Sequence, residues 1–98
     1  MPDDDLEPGA RRARLEQHLQ AEEAKCKQLR LALSEFRHTG RRLGDRLERL
    51  GGRGPDVEQQ RALLDENLKL TEAELAKSEA QISKIRRELA ELAADQQF

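Results

Sequence analysis

Aromatic side chains are almost missing from this sequence: two Phe, no Trp and no Tyr. Aromatics carry the largest burial per residue, so their scarcity argues against a compact globular core. Cysteine is limited to Cys26, so no disulfide can form within the chain, which fits a reducing compartment. No apolar run approaches the roughly 18 residues that span a bilayer, so no transmembrane segment is expected. The opening Met1-Pro2-Asp3-Asp4-Asp5 is acidic where a secretory leader would be basic. These features predict a cytoplasmic protein, with the nucleus as the other compartment they allow.

The residues of catalysis are equally sparse. His18 and His38 stand on one helical stretch roughly 30 Å apart, too far to share a metal with Cys26. No nucleophile–base pair can be assembled, and the glycines follow no strand, as a phosphate-binding loop requires. The sequence predicts no enzyme, no cofactor and no metal site. Cys26 reads most simply as a small core residue.

What is abundant is helix-forming and charged. Ala, Glu, Lys, Leu and Arg supply 59 of 98 residues, and charged residues make up 39% of the chain. Such a polar composition fits disorder unless its sixteen leucines share a stripe. They largely do. From Leu15 the chain follows a 4-3 rhythm through Leu15, Leu19, Glu22, Cys26, Leu29, Leu33, Phe36, Gly40, Leu43, Leu47 and Leu50. Only Glu22 and Gly40 break it. Leu15, Leu29, Phe36, Leu43 and Leu50 take heptad position d; Leu19, Cys26, Leu33 and Leu47 take a. After Gly51-Gly52-Arg53-Gly54-Pro55 the rhythm resumes at Val57, Arg61, Leu64, Leu68, Thr71, Leu75, Ser78, Ile82, Ile85, Leu89 and Leu92. Arg61, Thr71 and Ser78 are its polar members.

This pattern predicts an all-α fold in which two long helices form an antiparallel coiled-coil hairpin, open to assembly into a larger bundle. The expected parts are an acidic disordered tail over 1–9, helix 1 over 10–50, a Gly/Pro turn over 51–55, helix 2 over 56–95 and a tail over 96–98. A short connection returns helix 2 beside helix 1. The preferred register sets Leu47 against Val57, Gly40 against Leu64, Leu29 against Leu75 and Glu22 against Ile82. The next register slides one arm by a heptad and needs a looser turn. Charge supports the pairing. Residues 11–54 carry 12 basic and 6 acidic side chains, residues 55–98 carry 6 basic and 10 acidic. Like-with-like pairing of either arm is disfavoured by the same asymmetry.

Seventeen apolar residues on a narrow seam do not comfortably offset the ordering of two long helices. A second hairpin or a partner helix would bury more, and Leu31, Leu63 and Leu70, off the seam, are candidates for that contact. Arg37, Arg41, Arg42, Arg46, Arg49 and Arg53 make the tip basic, a possible electrostatic site for nucleic acid or an anionic membrane. With no aromatics interleaved for base stacking, nucleic acid is disfavoured.

The run Leu75-Ala76-Lys77-Ser78, continuing through Ile82, Ile85, Arg86, Glu88, Leu89 and Leu92, resembles the second helix of HR1 repeats, the antiparallel coiled-coil hairpins of Rho-effector kinases. Leu15-Glu16-Gln17-His18-Leu19 with Glu22 is similar to the opening of their first helix. The Gly-Ala pair typical of many HR1 first helices is missing near Gln28 and Leu29, and the tip is longer. The resemblance implies binding of a Rho-type small GTPase along the hairpin's side. The residues themselves predict a non-enzymatic interaction or scaffold subunit that pairs with itself or with other coiled-coil subunits.

Overall fold

The computed structural model describes residues 7–95. They form two long helices packed against each other, α1 over Pro8–Arg49 and α2 over Pro55–Asp95. The expected disordered tails fall mainly on residues 1–6 and 96–98, which lie outside the described residues.

Both helices begin earlier than expected, for the same reason. Proline lacks the N–H that the first turn of a helix leaves unpaired anyway, so Pro8 and Pro55 stand inside the first turn instead of before it. Pro8 and Gly9 thus belong to α1 and not to the tail. The carbonyl of Glu7 accepts from the Arg11 N–H at 2.9 Å, and the carbonyl of Gly54 accepts from the Glu58 N–H at 2.8 Å. Asp56 and Glu58 in the first turn of α2, and Arg46 and Arg49 in the last turn of α1, complement the helix dipoles.

The end of α1 is a Schellman motif. Gly52 N–H donates to the Leu47 carbonyl and Gly51 N–H to the Glu48 carbonyl, both at 3.0 Å. Gly51 and Gly52 hold φ of 70° and 78°, where a Cβ would clash with the backbone. The helix therefore closes at Arg49. Leu50, expected as the last seam residue, falls in the turn and is half exposed at 50%. The 4-3 pattern runs one residue past the helix that would have used it.

The chain divides into two units. The turn-proximal half comprises Lys27–Ala76, and the terminal half comprises the described residues up to Cys26 and from Lys77. In the turn-proximal half Leu33 and Val57 are buried, and Leu29, Phe36, Leu43, Leu47, Leu64, Leu68 and Leu75 are half-buried. The Leu64 side chain lies over Gly40, with Cδ2 3.3 Å from where a Cβ would stand. Arg61 occupies a seam position in sequence but is exposed. Its long side chain carries the guanidinium out to water. In the terminal half Cys26, Ser78, Ile82 and Ile85 are buried, flanked by half-buried Leu15, Leu19, Leu89 and Leu92.

Candidate functional site

Two features go beyond the apolar seam. The first is a polar layer in the terminal half. Cys26 and Ser78, only 1% and 2% exposed, face each other across the two helices. The Cys26 thiol donates to Ser78 Oγ at 3.1 Å, and the Ser78 hydroxyl donates to Glu22 Oε2 at 2.6 Å. The carbonyl oxygen of Glu22 stands 3.4 Å from the same hydroxyl. Glu22 was expected opposite Ile82, as a break in the apolar seam. Its carboxylate instead turns one helical turn along the seam, to Ser78. Arg86 pairs with the neighbouring Glu23 at 3.8 Å.

This layer specifies register. The preferred pairing brings Cys26 level with Ser78. Sliding one helix by a heptad would set Cys26 against Ile85 and Glu22 against Leu89. The Ser78 hydroxyl and the Glu22 carboxylate would then lose each other inside an apolar seam. A buried polar group left unpaired costs about 1–3 kcal/mol, so the slipped register is penalised twice. The thiol is enclosed, and among the described residues no three His, Cys, Asp or Glu side chains stand close enough to hold a metal ion. His18 and His38 are both exposed.

The second feature is the surface of the turn-proximal half. Leu31, Leu63 and Leu70 are 58%, 56% and 60% exposed. Leu63 and Leu70 are seven residues apart, on one face of α2. The six tip arginines do not act as one patch. Arg37 reaches Glu72 across the helices at 3.9 Å. Arg37 and Arg41 line a groove with Gly40, Gly44, Arg61, Leu64 and Asp65, whereas Arg42, Arg46 and Arg49 line a second groove with Thr39 and Leu43, and Asp45 borders both. Arg53 lies in the turn, exposed. Among the described residues Arg42, Arg46 and Arg49 make no ion pair.

The seam residues and the off-seam leucines were visible in the sequence. The split of the arginines was missed, although the heptad carries it: Arg37 and Arg41 follow seam positions, whereas Arg42, Arg46 and Arg49 precede them. The union of Glu22 with Ser78 was also missed. The signal for it was present: two polar seam residues in adjacent layers of the preferred register. No helix among the described residues is long and apolar enough to cross a membrane. Comparison with protein-family models, with curated proteins and with solved structures matches this chain to none of them.

Proposed function

We propose that the chain is a protein–protein interaction module, a helical hairpin that pairs through its turn-proximal half with another helical surface. The observation that carries this reading is the exposure of Leu31, Leu63 and Leu70 in a half whose own seam is already closed by other leucines. Single exposed leucines are ordinary on a protein surface. Leu63 and Leu70 at heptad spacing form a stripe of the kind a third helix covers. The seam's narrowness points the same way, since two helices alone leave most of each surface in water.

The test is capture of helical partners by the intact chain, compared with the L63E/L70E variant, together with the mass of each in solution. Capture or self-association by the parent, lost in the variant, is the expected result. A chain that stays monomeric and takes up the same proteins with and without the leucines sinks the reading. Titration with GTP-loaded small GTPases belongs in the same series, because the HR1-like residues imply that class of partner.

A further inference from the structure

We infer that the partner of the turn-proximal half is a second copy of this chain, docked with both tips at the same end so that α1 of each copy lies on α2 of the other. This rests on the interaction reading above and names its occupant. One flank of the seam is already used in pairing α1 with α2. Arg37 and Glu72, each following a d position, meet across the helices, so that pair of positions marks one flank. The opposite flank carries the residues preceding the a positions and, beside them, those preceding the d positions. On α1 these include Glu35, Thr39, Arg42, Arg46 and Arg49, and the last four line the second groove together with Leu43 and Asp45. On α2 they include Asp56, Gln60, Leu63, Asn67 and Leu70.

The two strips on this flank are unlike each other and complementary. The α1 strip is basic and grooved. The α2 strip is apolar at Leu63 and Leu70, with Asp56 and the adjoining Glu66 beside them. None of Arg42, Arg46, Arg49, Asp56 and Glu66 makes an ion pair among the described residues. A two-fold axis parallel to the helices sets each α1 strip on the α2 strip of the other copy. The pairing of Gly40 with Leu64 gives the level of each residue within this half. At those levels Leu63 of the second copy enters the groove between Thr39 and Arg42, and Asp56 of the second copy arrives at Arg49 and Arg46. Glu66 of the second copy falls level with His38, one helical turn from Arg42, and Leu70 of the second copy falls level with Ser34, beside Glu35 and within a turn of Leu31.

The opposite orientation fails on charge. A two-fold axis across the helices would stack α1 on α1, opposing Arg42, Arg46 and Arg49 to their own copies, and like charges brought together disfavour that assembly. In the tips-together bundle each basic helix is flanked by two acidic ones. The contact is small, so the dimer is weak and sensitive to salt.

Sedimentation equilibrium of the intact chain over a wide concentration range tests this. We expect a monomer–dimer equilibrium that weakens at least tenfold in L63E/L70E, and similarly in R42E/R46E/R49E. Mixing the latter with D56K/E66K should restore a heterodimer, while circular dichroism shows that each variant stays helical. Orientation is read by mixing an R49C chain with a D56C chain, both carrying Cys26→Ala. A disulfide between the two chains is expected under oxidation. A dimer that ignores the leucine and arginine changes, or that forms no such disulfide, overturns this arrangement and leaves self-association standing. A monomer at every concentration overturns the second copy altogether. If that monomer still captures a different helical protein through Leu63 and Leu70, the broader interaction reading survives alone.

Discussion

The two halves of this molecule solve the same packing problem differently. In the terminal half, α1 and α2 enclose Ile82 and Ile85 and lock their register with Glu22, Cys26 and Ser78. In the turn-proximal half the seam contains a glycine under Leu64 and an arginine that leaves it, and off the seam this half carries the exposed Leu31, Leu63 and Leu70. The terminal half satisfies its groups internally. The turn-proximal half leaves Leu31, Leu63 and Leu70 exposed. On the proposed reading stability and recognition are separable along the chain, and mutations should tell them apart.

The largest contrast is expected between Ile85→Ala and Leu70→Ala. Ile85 is 3% exposed, and its truncation removes apolar contact and leaves a cavity, for a loss of about 2–4 kcal/mol. Leu70 is 60% exposed, and its truncation should change unfolding by no more than about 0.5 kcal/mol while weakening association. Denaturant titrations at one low protein concentration keep the two effects apart. Equal losses in the two variants would erase the distinction between the halves.

The polar layer comes next. Ser78→Ala removes the donor to Glu22 and the acceptor of the Cys26 thiol, for an expected loss of about 1–2 kcal/mol. Adding Glu22→Leu removes the stranded carboxylate and places an apolar side chain in the seam, so the double variant should recover that stability or exceed it. What it should lose is uniqueness of register, seen as a broadened distance distribution between spin labels on the two helices. A double variant that keeps a single sharp distance would assign register to the turn alone.

Much of this was legible before the structure. The 4-3 spacing from Leu15 to Leu47 and from Val57 to Leu92 dictates which face of each helix is covered, because the period is a property of the helix itself. The break at Gly51 and Gly52 was equally plain, since few other residues tolerate positive φ. Leu50 was misplaced because a periodic pattern carries no mark of where the helix physically ends; the Schellman hydrogen bonds decide that. Glu22 was recognised as a break in the seam, but its partner was not. Seam pairing names the residue directly opposite, whereas a glutamate side chain reaches one turn further. The off-seam leucines were conspicuous, yet no residue pattern in one helix names what covers it. Coiled-coil recognition uses shape and charge that many sequences share, and this keeps function less legible than fold.

Glycine substitutions sharpen the contrast within the turn-proximal half on a smaller scale. Gly52→Ala forces a Cβ into a backbone at φ 78°, with an expected loss of about 1 kcal/mol. Gly44→Ala should do the reverse. A Cβ there meets nothing within 4 Å, so the variant gains helix propensity of up to about 1 kcal/mol without a clash. Gly40→Ala should gain less, because Leu64 must yield to the new methyl group. Thermal unfolding of the three variants orders them directly. A destabilised Gly44→Ala would mean that a Cβ at that position does not stand in open space.

The smallest effects should come from ion pairs that join the helices, such as Arg37–Glu72 and Arg86–Glu23. Arg37–Glu72 spans 3.9 Å and Arg86–Glu23 spans 3.8 Å, and all four side chains are about half exposed or more. Water screens such pairs and holding two long side chains in place costs entropy, so each contributes roughly 0–1 kcal/mol. Glu72→Gln and Glu23→Gln should therefore shift stability by less than about 0.5 kcal/mol, and the shift should vanish near 1 M salt, where the screening length is about 3 Å. Arg37–Glu72 lies on the flank away from the arginine groove, so Glu72→Gln should not alter association. If Glu72→Gln weakened the dimer as much as reversal of Arg42, Arg46 and Arg49, the assembly would have to use the Arg37–Glu72 flank. The separation of a structural flank from a recognition flank would then fail.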